Sequence, residues 1–123
     1  MMNIEHLDPT DFSYSQAVRI SDYSELLFVS VQVPEDKNEI VPSSFSEQCR
    51  LAWLNVEKQL INGGVTLHNL IKVTVYLSDR KFRFENSSIR QEILGKISPA
   101  LTMIIAGIYE EKWLLEIEAI GAK

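Results

Sequence analysis

The sequence predicts an α+β domain, a mixed sheet carrying two helices on one face. Three observations predict it. Short runs near residues 15–20, 26–33, 71–77, 98–106 and 114–120 are rich in β-branched or long apolar residues. Two longer stretches instead repeat their apolar residues every three or four positions, as helices do. Their order is β-β-α-β-α-β-β, in a 123-residue chain long enough to bury a core as one domain, 1–123, without disulfides or metals.

Residues 1–12 are polar and broken by Pro9, and read as an arm ahead of the first strand. Ser15 to Ile20 is a strand, with a turn at Ser21-Asp22, and Leu26 to Val33 is the strongest strand signal; together they predict a two-strand meander. Pro34 to Pro42 is charged and loop-like. Ser44-Phe45-Ser46-Glu47 fits a capping box, in which the serine oxygen and the glutamate satisfy the free amides of a helix start. Cys49, Ala52, Trp53, Val56 and Leu60 then mark one buried helical face, and Gly63-Gly64 ends it. Ile71 to Leu77 alternates, with Lys72, Thr74 and Tyr76 opposite Ile71, Val73, Val75 and Leu77. A second helix is expected over about residues 85–97, with Ile89, Ile93 and Ile97 spaced by four, and Pro99 breaks the chain after it.

The last quarter reads as a hairpin. A polar stretch with Gly107 and Glu110-Glu111-Lys112 separates its two strands. Alternation puts Leu114, Glu116, Glu118 and Ile120 on one face, and the two carboxylates stand roughly 7 Å apart. A turn near Tyr109 sets Met103 opposite Glu116 and Leu101 opposite Glu118. In that register the acids share a face with Leu101 and Met103, with no cation on either strand to balance them. A slip by one residue reverses the faces.

Twelve basic and seventeen acidic residues give a net charge of −5, and no Lys/Arg cluster stands out, which disfavours a nucleic-acid partner. Cys49 is the single cysteine, so no intrachain disulfide or cysteine-based metal site is expected, and a buried inert thiol is its default. His6 and His68 lack companions at ligand spacing, so neither metal nor cofactor is expected. No apolar run approaches 18 residues, and the N-terminus lacks the pattern of a secretory leader; the reading is a soluble cytoplasmic protein without membrane contact. Two helices cover only one sheet face, yet the strands are apolar on both. A second copy of the chain is the simplest cover, so a homo-oligomer is expected.

From Tyr14 to Ile120 the chain resembles the RidA/YjgF family of reactive intermediate deaminases, also labelled L-PSP endoribonucleases. The resemblance rests on Tyr14 with Ser15-Gln16-Ala17, Leu27-Phe28-Val29-Ser30 with Gln32, and Gln48 with Asn55 and Leu60. It continues through Lys72 to Leu77 with Asp79, Phe84 with Asn86, Pro99-Ala100, and Glu116 to Ile120. It implies a chorismate-mutase-like homotrimer, sheets inside and helices outside, with a small-molecule cleft at each subunit interface. Active members hydrolyse enamines and imines such as 2-aminoacrylate to 2-keto acids and ammonia. Carried over by position, the resemblance places a pocket tyrosine at Tyr14, a serine at Ser30, an asparagine at Asn86 and the water-positioning glutamate at Glu116.

The family's carboxylate-clamping arginine, directly after Pro-Ala, falls on Leu101. Leucine supplies neither charge nor hydrogen bond. Losing such a pair typically costs a few kcal/mol, or about 10²-fold or more. Val31 replaces a usual glycine, and Met103 stands where a small residue is common; both make the cleft more apolar and narrower. Beside these roles stand plainer ones. Glu116 and Glu118 could serve as interface partners, Ser30 as a backbone cap and Asn86 as a helix cap; Trp53 belongs to the core, and Trp113 to a rim or to packing. Three readings follow. The first is a trimer that binds a small, less acidic or more apolar ligand with weak or no imine deaminase activity. The second is an active deaminase using Glu116, with Arg19, Arg83 or Arg90 reaching the cleft as the anchor. The third, a ribonuclease, is disfavoured by the charge.

Overall fold

The structure, a computed structural model, describes residues 2–123. The chain runs β1 (Asn3–Pro9), β2 (Ser15–Ser21), β3 (Leu26–Gln32), α1 (Phe45–Asn62), β4 (Leu70–Leu77), α2 (Arg83–Leu94), β5 (Ala100–Ile105) and β6 (Leu115–Ala122). Single 3₁₀ turns at Leu67–Asn69 and Arg80–Phe82 lead into β4 and α2. The six strands form one mixed sheet in the order β1-β2-β5-β4-β6-β3. This is the expected α+β architecture with one more strand at its front.

That strand corrects the reading of residues 1–12 as an arm. β1 pairs antiparallel with β2, Ile4 beside Ile20 and His6 beside Val18. An edge strand needs little apolar surface, and Pro9 is tolerated at its end, so its composition resembles a loop.

The expected meander and hairpin also give way. β2 lies between β1 and β5, whereas β3 pairs with β6 at the far end of the sheet. β4 stands between β5 and β6, so the last two strands do not touch. β4 and β5 run parallel, joined by the α2 crossover that a parallel pair requires. β6 returns antiparallel on the other side of β4.

Register then sets the faces. Met103 stands beside Val75 rather than Glu116, and Leu101 beside Val73 rather than Glu118. Glu116 and Glu118 stand beside Tyr76 and Thr74. Cross-strand partners share a face, so Leu101 and Met103 lie on the helix side and the two acids on the opposite side. The expectation that all four share one face is overturned.

The core forms between the helices and the helix-side face. Cys49, Ala52, Trp53, Val56 and Leu60 of α1 are buried with Val73, Val75, Leu77, Leu115 and Ile117. Ser44 caps α1, its side chain accepting from the Glu47 amide at 3.2 Å, but the Glu47 side chain makes no return bond, so only half of the expected capping box forms. At the other end Gly64 takes a left-handed φ of +79°. Gly63 packs so closely on Leu27 that a Cβ there would meet Leu27 Cδ2 at 2.4 Å. α2 stops at Gly95, with φ +57°, leaving Ile97 outside the helix that the four-residue spacing extends to it.

Candidate functional site

On the helix side, α2 and the β2–β5 edge enclose an open cleft of about 550 Å³. Alternation along β5 sends Leu101, Met103 and Ile105 into one wall, joined by Leu77 from the end of β4. Tyr14, just ahead of β2, lies on the same cleft. From α2 come Arg83, Ser87 and Arg90, positions that share one helical stripe. Three sequence-predicted residues, Tyr14, Leu101 and Met103, are thus brought together. Two of the three candidate arginines, Arg83 and Arg90, join them. Arg19 instead pairs with Glu5 at 3.2 Å on the outer strands.

Asn86 is fully buried behind the wall, and neither lines this cleft nor caps the helix, since Phe82 is the N-cap of α2. Its Oδ1 lies 3.8 Å from Cys49 Sγ, and its Nδ2 lies 3.7 Å from Met103 Sδ. It therefore sets the position of Met103 from beneath. Burial holds the Cys49 thiol protonated, pushed up to about 12.

The other predicted residues occupy the open sheet face. A shallow cleft of about 320 Å³ is lined there by Phe28, Ser30, Lys72, Thr74, Glu118 and Ile120. Tyr76 donates its hydroxyl to Glu118 Oε1 at 2.8 Å, and Lys72 Nζ donates to Thr102 Oγ1 at 2.6 Å. Glu118 is therefore anchored within the sheet, while the Glu116 carboxylate makes no hydrogen bond among the described residues. Burial, and secondarily the Glu118 charge, hold the Glu116 carboxyl above the usual carboxylate range. Lys72 of β4 brings a cation into the same cleft as Glu118, but its ammonium is bonded to Thr102 and pairs with neither acid. Lys72 and Tyr76 were visible in the alternation of residues 71–77, but only the strand order places them beside the acids.

One chain thus carries two half-sites on opposite faces of its sheet. One has an apolar wall, a tyrosine and two arginines. The other has a hydrogen-bond-free carboxylate of raised proton affinity, Glu116, on the same face as a shallow cleft lined by Ser30 and Glu118. A carboxylate of that kind can hold and polarise water, and an apolar wall with nearby guanidinium groups can hold a small organic anion.

Comparison with known proteins places this arrangement. A RutC family protein of Pyrococcus horikoshii is 33% identical over 112 residues, covering 89% of this chain and 86% of that protein. The mitochondrial protein mmf2 of Schizosaccharomyces pombe is 31% identical over 113 residues, covering 89% and 87%. The crystal structure of the Rid family protein YyfB from Yersinia pestis superposes with a TM-score of 0.85 at 17% identity, covering 98% of this chain and 99% of that one. The mitochondrial relative leaves the compartment of this chain open; among the described residues no helix is long and apolar enough to cross a membrane. Residues 6–123 match the family described as Endoribonuclease L-PSP, and with that match over nearly its whole length the chain belongs to the RidA/YjgF (L-PSP) family.

Proposed function

We propose that this chain binds a small organic molecule in a cleft completed by a neighbouring copy, and that it hydrolyses short 2-imino acids weakly or not at all. The observation that carries this reading is the place of Leu101. It stands in the cleft wall with Leu77, Met103 and Ile105, at the position to which the resemblance assigns the family's arginine. A short 2-imino acid arriving there finds apolar surface in place of a charge-assisted pair.

The division of the half-sites supports assembly. Glu116 and Ser30 cannot meet Leu101 and Tyr14 across their own sheet, but the open face of one copy can meet the cleft of the next. The exposed Phe28 and the part-exposed Ile104 on that face favour such packing. In the assembled site Glu116 would hold a water molecule against the C=N carbon. Addition of that water and departure of the nitrogen as ammonia leave a keto acid.

A second reading, an active deaminase anchored by another cation, is favoured by Arg83 and Arg90 lining the same cleft. Release of keto acid and ammonia from enzymatically generated 2-aminoacrylate separates the two, measured on the wild type and on Leu101→Arg. The first reading expects little turnover by the wild type and a gain of about tenfold or more in the variant. Wild-type turnover equal to that of the variant overturns it in favour of the second.

A further inference from the structure

Arg90 is buried, with 3% of its surface exposed, yet it has no carboxylate partner among the described residues. Nη2 donates to the Phe12 carbonyl at 3.1 Å and to Ser87 Oγ at 3.3 Å. Those two bonds occupy Nη2 alone. Nε is buried without an acceptor, and Nη1 makes no hydrogen bond among the described residues. A guanidinium has five N–H donors and no way to lose its charge near neutrality, so burial does not make it neutral. A buried charge without a counter-charge is costly. The nearest compensation is the Tyr14 ring, whose centroid lies 5.9 Å from the guanidinium carbon.

We propose that Arg90 is the anion-anchoring residue of the helix-side cleft, and that the ligand is a carboxylate with an apolar body. The carboxylate pairs with Nη1 of Arg90, the unclaimed donor that is not shut off from the cleft. The body lies along Leu101, Met103 and Ile105, which line the same cleft. The anchor has moved from the strand β5 to the helix α2, so the charged end of the ligand sits against a different wall from the one position 101 offers. A short acid held there leaves the apolar wall unfilled; a longer one spans both. Arg83, at the exposed side of α2 and stacked on Phe84 at 4.6 Å, has its charge engaged by a ring and open to solvent, and carries less of the recognition.

The proposal rests on the reading of this cleft as the ligand site, and the test keeps the two apart. The probes are 4-methylpentanoate, its neutral amide and propanoate, titrated calorimetrically into the oligomer that the wild type forms and into Arg90→Gln, Arg83→Gln and Leu101→Trp. The expected result is that the wild type binds the long acid about tenfold or more tightly than its amide or propanoate. Arg90→Gln brings acid and amide level, Arg83→Gln changes the ratio by less than about threefold, and Leu101→Trp abolishes binding of both. Equal binding of acid and amide by the wild type overturns the Arg90 assignment while leaving the cleft in place, provided Leu101→Trp blocks both. An unchanged acid preference in folded Arg90→Gln, or its loss in Arg83→Gln alone, overturns it likewise. Binding indifferent to Leu101→Trp, or no binding, removes the cleft reading and the anchor with it. If Arg90→Gln does not fold, the wild-type acid–amide comparison together with Arg83→Gln decides the matter, an acid preference that survives Arg83→Gln being the expected result.

Discussion

Glu116 and Glu118 stand two residues apart on the open sheet face, but only Glu118 has a donor, the Tyr76 hydroxyl. Burial and its neighbour's charge hold the Glu116 carboxyl above the usual carboxylate range. The folded chain therefore binds that proton more tightly than the unfolded chain does, and stability falls as pH rises from the ordinary carboxylate range through the raised one. Above that window the charged form is a net cost. Glu116→Gln should accordingly raise the urea midpoint at pH 7, and the gain should shrink as pH falls below the ordinary carboxylate range. Equal midpoints for variant and wild type at pH 7 would refute the assignment. If the same carboxylate positions water, Glu116→Gln should also reduce any imine hydrolysis shown by Leu101→Arg by about 10²-fold or more. The two readouts move in opposite directions, as expected where a group is kept for chemistry at a cost in stability. Residue types in the cleft wall were legible in the sequence, since Tyr14, Leu101 and Met103 do converge. The isolation of Arg90 was not, because a lack of partners is a property of space rather than of spacing.

At the scale of elements, α1 was legible almost to the residue. Its cap, its apolar stripe and its glycine terminus are local signals that agree with one another. The neighbours of each strand were not legible. Alternation says which residues share a face of one strand, but it is silent on which strand lies alongside. β4, β5 and β6 all have suitable apolar faces, so the short connection 106–114 suggested a hairpin where the chain instead passes across β4. That connection is held by one side chain. Gln48, buried on α1, donates from Nε2 to the carbonyls of Pro42 and Lys112, both at 2.9 Å, and its Oε1 accepts from the Leu114 amide at 2.8 Å. No apolar residue of similar shape can satisfy those groups. Gln48→Met should cost about 2–4 kcal/mol, because buried backbone groups are left without partners. Denaturant unfolding measures the loss, and hydrogen exchange should accelerate at Leu114 more than in the interior of α1. A cost below about 0.5 kcal/mol would mean that water replaces the side chain without penalty.

At the scale of the whole molecule, one face of the sheet is covered and the other is open. Both helices lie against one side of the sheet, and on the other side Phe28 is 70% exposed beside Ile120. The half-site with Glu116 lies on that uncovered side, and the half-site with Leu101 and Arg90 lies under α2. A monomer would therefore leave an apolar face wet and its carboxylate remote from the cleft. Packing the open face of each copy against the next answers both needs at once, and a closed ring of three, the state that the family resemblance implies, leaves no half-site unmatched. Phe28→Asp tests this by placing a charge on the proposed contact; because Phe28 also lines the cleft of Ser30 and Glu118, Ile104→Asp, which lies on the same face and lines neither cleft, is measured beside it. Light scattering on the wild type should give the mass of three chains, and each variant should run as one. A folded monomeric variant should also lose the hydrolysis that Leu101→Arg confers, because no neighbour then brings Glu116 to the cleft. If the double variant runs as a monomer and still turns over, one chain suffices for chemistry and the two faces need not meet. If it loses turnover while circular dichroism shows the fold intact, the site belongs to the assembly, and assembly is part of what the open sheet face encodes.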